Sequence, residues 1–253
     1  MSDAVLFETK GPIAIITMNM PDNRNALSKA IRDGLFAAFP RFEKDPALRV
    51  AILTGAGNSF CAGGDLKEMA SMNLKVPPKD MFPILGDNLE VTKPVIAAVN
   101  GHAFAGGWLM AQMCDLCLAS TNAKFGITEV KVGRGTPWAT PLINMIPQRL
   151  MMEILLTGNP LTAQRAYEIG LVNQVTTPED LMTKALEMAQ TIADNAPLSV
   201  KAAKETVLLA TEMGRTAALR AGRHAWETAY RSQDAQEGPK AFAEKRKPVW
   251  KGE

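Results

Sequence analysis

The sequence lacks a strong charge of either sign: 28 Lys and Arg stand against 26 Asp and Glu, a net +2. A nucleic-acid partner is therefore not expected, because such partners call for a basic excess. A small anionic ligand needs only a few placed cations and stays open. Long apolar runs are missing too. The most apolar window, Val95 to Met113, is interrupted by Asn100, His102, Gln112 and three glycines, so it reads as buried core and no membrane association is expected. The opening MSDAVLFETKGP has neither a basic n-region nor an apolar stretch, which points to a cytoplasmic protein. Cysteine is scarce: Cys61, Cys114 and Cys117 are an odd number, suited to a reducing compartment. Cys114 and Cys117 form a CxxC, but no second Cys/His pair completes a zinc site, and CDLCLAS reads as a buried strand. No metal is expected.

What is present is an ordinary globular composition, 47% apolar and 21% charged over 253 residues. AVLFE and PIAIITMN read as two β runs joined at Lys10-Gly11. Ser28 to Lys44 reads as a helix with Ser28 as N-cap, and Pro40 is expected to kink it or end it early. LRVAILTG, Val95–Val99 and Leu116–Ala119 are continuous apolar strands of the kind covered on both faces. Strands alternating with helices indicate α/β with a largely parallel sheet. Beyond Pro141 helices dominate. RLMMEILLTG ends at Gly158, Thr162 caps AQRAYEIG, and LVNQV is a short strand. A helix then starts near Pro178, and Pro197 opens another. The layout is an α/β core over 1–190 and a C-terminal helical segment over 191–253.

Two Gly-rich loops follow strands: TGAGNSFCAGGDLKEM and NGHAFAGGWLMA. Loops at the C-terminal ends of strands are where α/β sheets bind ligands, and Asp65 with Glu68 resembles a capping box for the helix after the first. Neither loop is a phosphate cradle of known pattern. GxxxxGK[ST] is absent, and Phe60 stands where a dinucleotide fingerprint needs its third glycine. No GxSxG exists, and only His102 and His224 are available as bases, which disfavours a serine hydrolase. Taken singly, either loop also reads as a tight turn and nothing more.

In order along the chain stand PDNRNAL, SFCAGGDLKEM, KPVIAAVNGHAFAGG, AKFGITEVKVG, LLTGNPLTAQRAYEIGLVNQV and EGPKAFAEKRKP. Together they resemble the crotonase, or enoyl-CoA hydratase/isomerase, superfamily over essentially the whole chain. The resemblance implies a spiral core of ββα units with a C-terminal helical trimerisation segment, an acyl-CoA thioester as substrate, and trimers or hexamers. It implies no separate cofactor, since coenzyme A is part of the substrate. It places the backbone N–H groups of Gly64 and Gly106 around the thioester carbonyl and makes Glu129 the catalytic carboxylate. Without that frame, a lone glutamate reads as a solvated surface charge. By the same resemblance Arg24 and Lys67 meet the coenzyme A phosphates, and Ala62 and Leu66 lie beside its adenine. Phe242 and Lys245 reach coenzyme A on a neighbouring subunit. Lys67 and Lys245 also read as solvated helix-face cations.

One departure bears on the reaction. Hydratases of this family carry a second glutamate in a Gly-x-Glu pattern after the second loop, and here Gly107-Trp108-Leu109 puts leucine there. The resemblance therefore favours moving a 3-enoyl double bond to the 2-position, with 2-enoyl hydration and a non-catalytic acyl-CoA-binding role as alternatives. Trp108, Trp138, Met110 and Met145 read equally as pocket liners or core.

Overall fold

Strands β1 (Val5–Lys10) and β2 (Ile13–Met18) form the expected hairpin, antiparallel with Lys10 opposite Ile13. This computed structural model describes residues 3–253. Helix α1 (Lys29–Lys44) follows, and its apolar stripe of Ile31, Leu35, Ala38, Phe39 and Phe42 is entirely buried. Two features of α1 depart from the local rules. Ser28 holds the N-cap position without a cap bond, and the Lys29 N–H donates instead to Glu68 Oε2 at 2.9 Å. Pro40 does not end the helix, which runs on to Lys44. Burying Phe39 and Phe42 on either side of it is worth about 3–6 kcal/mol. That matches or exceeds the cost of an interior proline, about 3 kcal/mol.

Three strand–strand units come next. The first is β3 (Val50–Gly55) and β4 (Ser59–Cys61), leading into α2 (Leu66–Ser71). The second is β5 (Val95–Val99) and β6 (His102–Phe104), leading into α3 (Gly106–Gln112). The third is β7 (Leu116–Ser120) and β8 (Lys124–Gly126), leading into a 3-10 turn over Glu129–Val132. After a further 3-10 stretch (Pro137–Asn144) come α4 (Gln148–Thr157), β9 (Leu161–Thr162), α5 (Ala163–Glu168) and β10 (Gln174–Thr176). Helices α6 (Leu181–Ala193), α7 (Pro197–Glu212), α8 (Arg215–Arg231) and α9 (Asp234–Ala243) complete the chain. Gly158 ends α4 in the left-handed conformation, and Thr162 Oγ1 caps α5 by accepting from the Arg165 N–H, both as expected.

The first strand of each unit enters a six-stranded sheet, β1-β2-β3-β5-β7-β10, parallel from β2 onward. The second strands stack in a four-stranded sheet, β4-β6-β8-β9, parallel except for β9. Strands β3 and β5 are buried at every position because the larger sheet is covered on both faces. Ala51 and Leu53 point into the main core with α1, while Val50 and Ile52 pack under α6 against Leu181, Ala185 and Ala189. Helix α6 thus belongs to the sheet and straddles the 190/191 division, so the helices that stand off the sheet begin with α7. Lys204 ties α7 back by donating to the Val91 and Lys93 carbonyls and pairing with Asp115 at 2.9 Å. Among the described residues no helix is long and apolar enough to cross a membrane.

Candidate active site

The smaller sheet aligns three chain segments. Its registers set His102 beside Ser59 and Lys124, and Phe104 beside Gly126, so β4, β6 and β8 end along one edge. Gly64 follows the end of β4, Gly106 the end of β6 and Glu129 the end of β8. The three residues assigned to catalysis are therefore brought to one edge of the sheet from three separate parts of the chain.

The loops there are held in unusual backbone conformations. Ala105, just before Gly106, has φ 51 and ψ −123, which costs a non-glycine residue about 1–3 kcal/mol. Its N–H is pinned to Gly126 O at 2.7 Å, and its carbonyl accepts from Trp108 and Leu109 in the first turn of α3. Across from it Gly63 has φ 94, and a Cβ there would stand 2.7 Å from Ala105 Cβ and 3.2 Å from Gly106 N. A Cβ on Gly106 would stand 3.6 Å from Gly64 N and 2.8 Å from Leu27 Cδ1. The Gly64 and Gly106 N–H groups thus border one small space, and neither donates to a carbonyl among the described residues. Two preorganised donors at one point suit an oxyanion.

Glu129 is 8% exposed, and its Oε2 has no hydrogen-bond partner among the described residues. Burial pushes its carboxyl up from 4.5 to about 7, against weaker opposing effects of its own backbone N–H, the Trp138 side chain and the Thr128 N–H. A carboxyl there exchanges protons near neutrality, as a general acid–base must.

The neighbouring carboxylates have structural work. Asp65 accepts from the Lys67 and Glu68 N–H groups at the start of α2, and the Glu68 N–H foremost keeps its carboxyl low. Glu68 does not close the capping box. It accepts from Arg32 Nη2 at 2.7 Å and from the Lys29 N–H, and the Arg32 guanidinium holds its carboxyl low. Arg32 also donates to Leu27 O at 2.7 Å. This half-buried clasp fixes α1, the Leu27 segment and α2 relative to one another, and Leu27 in turn donates to Gly63 O.

Four of the proposed coenzyme A residues gather beside this clasp. Arg24 O accepts from the Ala62 N–H at 3.0 Å, and Asn23 donates to Asp65 at the head of α2, where Leu66 and Lys67 are exposed. The Arg24 and Lys67 side chains both face solvent. Phe242 and Lys245 are not brought to that cluster. Phe242 is 87% exposed at the end of α9, and Lys245 lies just beyond it with φ 54.

Several residues that matter were missed. Met69 Cε occupies the space a Cβ on Gly64 would take, with Phe82 Cζ 3.7 Å from that point. Buried Asn25 accepts from the Met20 N–H and donates to the Ala56 and Ser59 carbonyls, holding the first loop in place. A buried asparagine inside PDNRNAL was the available signal for the last. Met69 and Phe82 carry none, since an apolar residue in a pocket and one in a core look alike. Trp108 and Met110 are fully buried core, Trp138 adjoins Glu129, and Met145 is 44% exposed. The three cysteines are buried free thiols, pushed up to about 12 by burial at Cys61 and Cys117 and well up at Cys114.

Comparison with known proteins shows the family. The family model described as enoyl-CoA hydratase/isomerase matches residues 8–253. The (E)-benzylidenesuccinyl-CoA hydratase of Thauera aromatica is 40% identical over 98% of this chain and 99% of its own. The carnitinyl-CoA dehydratase of Salmonella paratyphi A is 38% identical with both chains fully covered. The crystal structure of enoyl-CoA hydratase EchA1 from Mycobacterium marinum superposes with a TM-score of 0.92 at 38% identity, covering 100% of each chain. With its spiral of ββα units, its paired glycine N–H groups and its buried glutamate, the chain belongs to the enoyl-CoA hydratase/isomerase, or crotonase, family.

Proposed function

We propose that this enzyme moves the double bond of an acyl-CoA thioester from the 3- to the 2-position through an enolate. Glu129 takes a proton from C2, the negative charge spreads onto the thioester oxygen between the Gly64 and Gly106 N–H groups, and Glu129 returns the proton at C4. The single observation that carries this reading is the pairing of a buried, raised Glu129 carboxyl with a leucine, Leu109, 3% exposed on the helix that starts at Gly106. One carboxylate suffices for a proton that leaves and returns. Adding water needs a second group to hold and activate it. A binding protein without chemistry gains nothing from a carboxyl buried at this cost, which disfavours that alternative.

Hydration is the second reading, favoured by the hydratase and dehydratase names of the relatives. Gln112, three residues after Leu109 on α3, has an Oε1 without a partner among the described residues and donates to Trp138 O at 3.2 Å. It is the candidate water holder in that reading. Rates on matched 2-enoyl and 3-enoyl thioesters decide between the two. Isomerisation in excess, with hydration raised by Leu109→Glu, supports the first. Fast hydration that Gln112→Leu abolishes supports the second.

Arg24 and Lys67 are proposed to meet the coenzyme A phosphates, with Ala62 and Leu66 beside the adenine. Phe242 and Lys245 are proposed to serve coenzyme A on a neighbouring copy in a trimer or hexamer. Their exposure on and just beyond the end of α9 supports that arrangement.

A further inference from the structure

Between α2 and the turn after Glu129 lies a cavity of about 250 Å³, lined by Leu66, Met69, Leu74 and Val132 together with Asn73 and Arg134. It adjoins both halves of the site. Met69 is the side chain against Gly64, and the Arg134 N–H donates to Glu129 O at 2.9 Å. Its walls are apolar apart from Asn73 and one cation. Arg134 is half-buried, its Nη1 donates to Leu74 O at 2.8 Å, and no carboxylate pairs with it among the described residues. A guanidinium carries five N–H donors in a planar fork, and one backbone carbonyl leaves most of them available. An acceptor that fits this site has a hydrocarbon body for the walls and an anionic end for the fork.

We infer that the cavity takes the far end of an acyl group bearing a second carboxylate, and that Arg134 is the residue that selects it. The enzyme's preferred substrates are then monothioesters of dicarboxylic acids. Arg134 is a specificity residue and takes no part in proton transfer. This rests on the acyl-CoA reading of the site. Binding of unreactive saturated thioesters tests it whichever reaction the enzyme catalyses.

The test is the calorimetric Kd of adipoyl-CoA, hexanoyl-CoA and free coenzyme A for the parent protein, Arg134→Gln and Arg134→Lys, with folding checked by circular dichroism. The parent is expected to bind adipoyl-CoA more tightly than hexanoyl-CoA by about tenfold or more, the scale of a charge-assisted pair. Arg134→Gln should erase that preference while leaving hexanoyl-CoA and free coenzyme A within about twofold, and Arg134→Lys should restore part of it. Equal weakening of all three ligands would assign Arg134 to the coenzyme A phosphates or to loop structure and overturn the inference, as would tighter parent binding of hexanoyl-CoA. Binding of neither acyl-CoA would overturn the parent reading itself.

Discussion

Replacing Glu129 with glutamine separates the carboxyl's chemistry from the cost of holding it. Burial lifts this group from 4.5 to about 7 in the folded chain. Between those values the native state keeps a proton that the unfolded chain has released. The stability contributed by Glu129 is therefore full below pH 4.5 and falls as pH rises towards about 7. At about 1.36 kcal/mol for each tenfold difference in proton affinity, the whole fall is about 3 kcal/mol. Glutamine has nearly the same shape and does not ionise, so whatever fixed offset the amide brings, only the parent carries this pH dependence. Urea unfolding of both proteins at equal concentration, at pH 5 and pH 8, should show the variant gaining about 2–3 kcal/mol on the parent across that range. Turnover of the variant should fall by about 10²–10⁴-fold, the usual worth of a general acid–base. For the parent, kcat/KM should rise with pH and level off above about 7, because the base must be ionised to accept the first proton. A stability difference that stays flat from pH 5 to pH 8 would refute the burial argument. Turnover within tenfold of the parent would remove Glu129 from the chemistry.

Gly106→Val should abolish turnover with the fold retained, because its Cβ meets Leu27 and approaches Gly64 N. Losing one oxyanion donor alone costs about 3–4 kcal/mol of barrier, and near-parent kcat would exclude this glycine as a donor. Lys67→Ala should weaken acyl-CoA binding, more so at low salt than at high salt, because an exposed cation acts through a screened field. Affinity unchanged at both salt concentrations would take Lys67 out of the site.

Much of this architecture was legible in the residues. The apolar runs of β3, β5 and β7 announced a sheet covered on both faces, and the stop at Gly158 was local chemistry that tertiary context did not override. Pro40 does not end the helix, because the rule for proline is local, while Phe39 and Phe42 on either side favour its continuation by burial. The capping box at Glu68 fails for a related reason: Arg32, 36 residues away in sequence, and the Lys29 N–H draw the Glu68 carboxylate off α2, and that carboxylate, not the Ser28 hydroxyl, serves the head of α1. The roles proposed for Gly64, Gly106 and Glu129 come only from the ordered motifs, since nothing in a lone GITEV separates a buried glutamate from a surface one. Met69, Phe82 and Arg134 had no reading at all, because their roles come from two loops meeting in space.

In the proposed mechanism a single carboxylate, Glu129, shuttles a proton over an enolate held by Gly64 and Gly106, and Leu109 supplies no second acid–base group to activate water. The decisive measurement is initial rates on a 3-enoyl thioester and its 2-enoyl isomer, taken side by side with the unmodified protein. One shuttling carboxylate should give kcat/KM for isomerisation above that for hydration by about 10²-fold or more, the share a second acid–base group supplies. Hydration as fast as isomerisation would contradict it.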